Sequence, residues 1–202
     1  MKILTSLLAI VFFVTALGCG KPCVEAQYQF SMQESFSPDR DSILVGDTIF
    51  MLSSHSTSFR DNSINDLIDF SGSQIGANLR VLSMPTNTNV VIGAMNDFAF
   101  LIYQGKTTGN DNLPSENKGL LLEENSSNYE LNIGLIAKQK GTYLVSLGNS
   151  GGIIKKNHGC EKADIEIDNS NVNNHLYFYE NFFSGLPLSD YTKTHIYCFK
   201  VY

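Results

Sequence analysis

From Val24 to Met32 the chain alternates strictly, with Val24, Ala26, Tyr28, Phe30 and Met32 interleaved by Glu25, Gln27, Gln29 and Ser31. A period of two puts one set of side chains in a core and the other in solvent, so the segment predicts a half-buried strand. Ser37-Pro38-Asp39 punctuates it, and residues 42–52 then read as strand, turn at Gly46-Asp47, and strand. Residues 53–62 are polar and loop-like, and 63–70 space Ile64, Leu67 and Ile68 at helical intervals, which predicts one short helix. Further strands are expected at 79–83, 90–94, 98–103, 129–138, 141–147, 153–154, 163–167, 176–179 and 195–202. Many short apolar runs between turn residues indicate an all-β sandwich, with at most one or two short helices, rather than βαβ units. Residues 105–119, rich in Gly, Asn, Thr and Ser, read as a long surface loop. Residues 25–202 contain no repeat or linker and read as a single β-sandwich domain.

The amino end breaks this pattern. Lys2 is followed by an almost unbroken apolar run from Ile3 to Leu17, ending at Gly18-Cys19. That is a charged start, an apolar stretch and a small-residue cleavage site, which reads as an export signal over residues 1–18. The run is shorter than the roughly 20 residues that a spanning helix needs.

Ala16-Leu17-Gly18-Cys19 resembles the lipobox of bacterial lipoproteins, matching at Gly18 and Cys19 and departing at Ala16 and Leu17. The resemblance implies that Cys19 carries a thioether-linked diacylglycerol and that residues 19–24 tether the domain to a membrane. Gly20 lacks the Asp that favours inner-membrane retention in that family, which implies the outer membrane, in either leaflet. Cleavage after Gly18 by the ordinary signal peptidase remains an alternative and would release a soluble secreted protein.

Two further segments resemble immunoglobulin-like modules of bacterial surface proteins. Residues 41–49, Asp-Ser-Ile-Leu-Val-Gly-Asp-Thr-Ile, match an early strand pair, and 140–147, Lys-Gly-Thr-Tyr-Leu-Val-Ser-Leu, match a late strand. With the Tyr197 to Tyr202 close, the combination resembles a group of predicted lipoproteins with no assigned activity. The resemblance implies an elaborated immunoglobulin-like sandwich in which Val45, Ile49, Tyr143, Val145 and Leu147 face the core. Asp41-Ser42-Ile43 and Asp47-Thr48-Ile49 also resemble the O-glycosylation acceptor of one Gram-negative lineage, or are ordinary strand-edge residues.

A formal charge of −6 opposes nucleic acid as a partner, because neutralising phosphates needs clustered Lys and Arg. Export permits disulfides. With Cys19 lipidated, Cys23, Cys160 and Cys198 leave one bridge and one free thiol; Cys160 with Cys198 is the favoured pair and Cys23 with Cys160 its close competitor. No C-x-x-C or H-x-x-x-H spacing occurs, which argues against zinc, and no cofactor motif is present. Residues 168–174, Asp-Asn-Ser-Asn-Val-Asn-Asn, offer oxygens to calcium but read more simply as an Asn-rich turn.

Gly148-Asn149-Ser150-Gly151-Gly152 resembles the nucleophile motif of trypsin-like serine proteases, and Asn96-Asp97-Phe98-Ala99-Phe100-Leu101 resembles the segment bearing their triad aspartate. The order His55, Asp97, Ser150 is theirs too, and implies a hydrolase in which Ser150 attacks, His55 takes its proton and Asp97 orients the imidazole. The context departs: His55 sits in Ser-Ser-His-Ser-Thr, and Asn149 stands where the family has Asp. The competing reading is a hairpin turn at 149–152, as Gly and Asn favour. The expected function is therefore a non-catalytic envelope lipoprotein, binding or structural, with a protein or glycan as partner. Its candidate surfaces are residues 53–62, 105–119 and 168–174.

Overall fold

The computed structural model describes residues 26–108, 117–149, 153–156, 160–171, 173–184 and 189–202. The expected export signal over 1–18, Cys19, the expected 19–24 tether and Cys23 lie outside them. The first strands are β1 (Ala26–Ser37), β2 (Ser42–Ile43), β3 (Thr48–Ser56), β4 (Ser58–Arg60), β5 (Leu67–Asp69) and β6 (Gly76–Ser83). Then come β7 (Ile92–Gly93), β8 (Phe98–Gln104), β9 (Lys106–Thr108), β10 (Asn117–Leu121), β11 (Glu123–Asn125) and β12 (Asn128–Ala137). The chain closes with β13 (Gly141–Asn149), β14 (Ile153–Ile154), β15 (Glu161–Asn169), α1 (Tyr177–Phe182), α2 (Asp190–His195) and β16 (Tyr197–Val201).

Two seven-stranded sheets face each other. The first runs β11-β12-β3-β1-β15-β14 with β8 also on β12; the second runs β2-β16-β13-β6-β10-β9 with β7 on β6. The alternation at the amino end does what its period requires, since Phe30, Met32 and Phe36 are all buried. From the opposite sheet Leu79, Val81, Tyr143, Val145 and Leu147 complete the same core, so the molecule is an elaborated immunoglobulin-like β-sandwich. Each such side chain contributes about 1.5–3 kcal/mol by leaving water. Aromatic rings interlock within it: Phe30 stacks on Phe59 at 4.9 Å, and Phe36 stacks on Tyr197 at 4.5 Å.

Ile49, Tyr143, Val145 and Leu147 face the core as the immunoglobulin-like resemblance implies, but Val45 is 45% exposed. Asp47 explains the difference. Its carboxylate accepts the Leu44 amide while its own amide donates to Leu44 O, closing a tight turn in which Gly46 takes φ 94. Val45 sits at the tip of that turn rather than on a strand.

Two local expectations fail. Residues 63–70 form no helix but a turn and β5, which pairs with β4 from Ser58↔Asp69 to Arg60↔Leu67. Buried Asp61 accepts the amides of Ser63 and Ile64, an Asx-type cap that bends the chain back, and Ile64 and Leu67 point to solvent. These hydrogen bonds, led by that from the Ser63 hydroxyl, hold the Asp61 carboxyl down at about 2. Residues 176–179, expected as strand, form instead the N-cap, Leu176, and the first turn of α1. Leu176, Phe178, Tyr179 and Phe182 pack on a second apolar cluster of Leu82, Met84, Leu144, Ile196 and Cys198, on the face of the second sheet away from the main core.

The cysteines are paired otherwise than favoured. Cys198 is a free thiol sealed under α1, while Cys160 is disulfide-bonded, so the Cys160–Cys198 bridge is not formed. The competing partner, Cys23, lies outside the described residues. Burial pushes the Cys198 thiol up to about 12, which removes it from thiolate chemistry at neutral pH.

Candidate functional site

His55 lies near the end of β3 opposite Tyr129 of β12, whereas Asp97 immediately precedes Phe98, which pairs with Ala137 at the other end of β12. The eight steps between those positions (137 − 129 = 8) span about 26 Å at about 3.3 Å per residue. A base and its orienting carboxylate must hydrogen-bond directly, so His55 and Asp97 form no catalytic pair. Ser150 lies outside the described residues.

Both residues have structural work instead. The β1 amide of Gln33 donates to His55 Nε2 at 2.9 Å, and Gln33 O lies 2.8 Å from the same nitrogen, so the imidazole meets β1 backbone on the side where β3 is not paired with it. Burial lowers the His55 pKa and favours that neutral ring. Asp97 accepts the hydroxyl of buried Tyr143 at 3.0 Å, supplying the partner that a core tyrosine requires.

The three expected binding loops prove largely committed to the fold. Residues 53–62 carry the end of β3, β4 and the Asp61 cap. Residues 105–119 contain β9 and the start of β10, with 109–116 outside the described residues. In 168–174 three of the amide oxygens are already used: Asn171 Oδ1 accepts Phe36 N–H at 2.6 Å, Asn169 Oδ1 accepts Asn171 N–H, and Asn173 Oδ1 accepts His175 N–H. The segment stitches β15 to β1.

Sequence reasoning missed the edge formed by β8. Among the described residues its one strand partner is β12, and Leu101, Ile102 and Tyr103 are 42%, 41% and 57% exposed. The register slips between Asn132 and Ile133: Gln104 pairs with Asn132 and Ile102 with Ile133, leaving Tyr103 as the extra residue of a bulge. Such a bulge re-aims a side chain. The Tyr103 ring meets Phe50 at 5.8 Å. Beside it, a side chain at Gly134 would meet Thr48, Leu101 and Phe50 within 3.5 Å, so the glycine makes a shallow floor for this apolar face. An apolar run was legible at 98–103, but the face it presents depends on the bulge, which leaves no sequence signature.

One group of potential metal ligands is present among the described residues, Glu166, Asp168 and His195. His175 lies apart from it, buried against Tyr197 with Nε2 3.3 Å from Asp39, and His158 is outside the described residues.

No protein-family model and no curated protein matches the chain. Among solved structures it is similar to the Reelin-N domain of F-spondin, at 12% identity, with 73% of this chain and 87% of that one covered and a TM-score of 0.34. It is also similar to the seventh ScaB type I cohesin from Pseudobacteroides cellulosolvens, at 10% identity, 70% and 88% coverage and a TM-score of 0.36. The human F-spondin reeler domain gives 13% identity, 75% and 94% coverage and a TM-score of 0.34. Likenesses this distant carry no argument about what the chain does.

Proposed function

We propose that this protein is a non-catalytic envelope lipoprotein, held at the outer membrane by lipid on Cys19, whose β8 edge takes an extended segment of a protein partner as an added strand. The observation that carries the reading is the exposed, bulged edge with Leu101, Ile102 and Tyr103 on it. An unpaired edge offers backbone donors and acceptors, and long apolar edges are ordinarily shielded unless they are used. Its position suits the role. The register Ser35↔Leu52, Leu52↔Asn132 and Asn132↔Gln104 puts the near end of β8 level with Ser35. That is about 30 Å along β1 from Ala26, where a tether from Cys19 would join the domain.

Two measurements test the two halves. The amino-terminal peptide of membrane-purified protein should begin at Cys19 and carry the mass of a diacylglycerol with an N-acyl chain, whose several buried methylenes each add about 0.8 kcal/mol of anchoring. An unmodified Cys19 thiol or an unprocessed start refutes the anchor. A photo-crosslinking amino acid at Tyr103, in cells, should yield one discrete protein adduct that is absent from the same probe at Gln27 and lost with Leu101→Lys. Equal labelling at both positions, no adduct at 103, or an adduct indifferent to Leu101→Lys refutes the edge as the docking surface.

A further inference from the structure

We infer that Glu166, Asp168 and His195 form a site for one divalent transition-metal ion, with zinc the ion their chemistry fits best. Glu166 and Asp168 are two apart on β15, between buried Ile165, Ile167 and Asn169, so the strand period turns both carboxylates outward together. The parallel partner β1 sets Ser31 opposite Glu166 and Gln33 opposite Asp168, and neither can neutralise the two charges. The counter-group comes from elsewhere in the chain. His195, the last residue of α2, is buried, with its side chain only 7% exposed, and its Nε2 reaches both acids.

Distances separate an ion site from a simple ion pair. Nε2 lies 3.6 Å from Glu166 Oε1 and 3.6 Å from Asp168 Oδ1. A charged N–H···O hydrogen bond closes to about 2.7–2.9 Å, so neither contact is one. Tetrahedral zinc, with bonds of about 2.1 Å to nitrogen and oxygen, holds its ligand atoms about 3.4 Å apart. The spacing found, with one atom of each side chain within 4.8 Å of the others, is therefore nearer a coordination sphere waiting to tighten slightly. The second ring nitrogen is also engaged: Nδ1 is 2.8 Å from Thr194 Oγ1, the kind of outer contact that fixes a ligating imidazole in orientation and tautomer.

The donor set selects among ions. Magnesium and calcium prefer oxygen alone, whereas one imidazole with two carboxylates suits zinc, and three protein ligands leave a fourth position for water. The search for short cysteine and histidine spacings could not find this group, because its ligands come from β15 and from a helix beyond α1. A bound ion would tie α2 to β15.

The test uses the mature full chain. After equilibrium dialysis against zinc chloride and removal of loose metal, elemental analysis should find one zinc per chain. Glu166→Gln with Asp168→Asn, both outside the core, should weaken binding at least about tenfold. A nitrogen-15 NMR spectrum of the histidine side chains should show zinc moving the His195 Nε2 resonance in the parent chain and not in the double variant, and magnesium moving it in neither. No retained zinc, retention unchanged in the folded double variant, or a His195 resonance that zinc leaves in place each overturns the site in favour of a plain histidine–carboxylate cluster.

Discussion

Glu34→Gln should stabilise the protein at neutral pH, and by more the higher the pH. Glu34 occupies a core-facing position of β1 between Met32 and Phe36, is 1% exposed, and neither carboxyl oxygen has a hydrogen-bond partner. Burial drives its pKa well above 4.5, and the charge on Asp168 adds to the rise. The Leu147 amide opposes the rise but makes no hydrogen bond of ordinary geometry to the carboxyl.

The sign follows from proton counting. Below about pH 4.5 the carboxyl is protonated folded and unfolded alike, and it costs nothing that depends on pH. Above that point the unfolded chain releases the proton and the folded chain keeps it. Stability therefore falls by about 1.4 kcal/mol per pH unit until the folded pKa is passed. Glutamine has the same shape and does not titrate. Urea denaturation at pH 5, 6, 7 and 8 should show the two proteins diverging steadily, converging again near pH 4.5. Parallel profiles would mean that water or a rearranged donor reaches Glu34, and would end the argument.

Tyr129→Phe should have the opposite effect, a loss of about 1–3 kcal/mol, with Tm lower by about 3–9 °C. The fully buried Tyr129 hydroxyl donates to Phe70 O at 2.7 Å, accepts Ser73 N–H at 2.9 Å and lies 3.0 Å from Ser73 O. Removing one oxygen takes this contact from Ser73 O and leaves Phe70 O and Ser73 N–H with only their mutual bond at 3.2 Å. Burial pushes the phenol up to about 12, so the group stays a donor through the physiological range. Tyr103→Phe removes the same atom from an exposed ring and should leave Tm within about 1 °C. Calorimetry on the three proteins checks this, and equal losses from the two substitutions would refute the role given to the Tyr129 hydroxyl.

Much of the sandwich is legible in the sequence because its strands obey a period of two where one face meets the core, as at Phe30, Met32, Tyr143, Val145 and Leu147. Legibility fails where side chains bind backbone. Asp61 turns a helical spacing of apolar residues into a hairpin, and Asp47 lifts Val45 out of the strand that its neighbours suggest. In the aromatic run Tyr177 to Phe183, composition favours strand, but the apolar cluster beneath accepts a helix face instead. The candidate sites were least visible. The β8 surface depends on a one-residue slip in register, and the Glu166, Asp168 and His195 group on which helix lands beside which strand. The protease-like segments show the converse, since familiar short motifs carry no mutual geometry and the sandwich sets His55 and Asp97 at opposite ends of one strand.

The parallel ladders bear on when this molecule can take shape. β1 runs beside β15 from Ala26↔Glu161 to Glu34↔Asn169, β2 runs beside β16, and Phe36 N–H meets Asn171 at a separation of 135 positions along the chain. For a polypeptide emerging amino end first, β1 can meet β3 early at Ser35 to Ser37, but its long parallel edge and that of β2 have no partner until the last forty or so residues follow. The two sheets therefore cannot be completed before β15 and β16 are available.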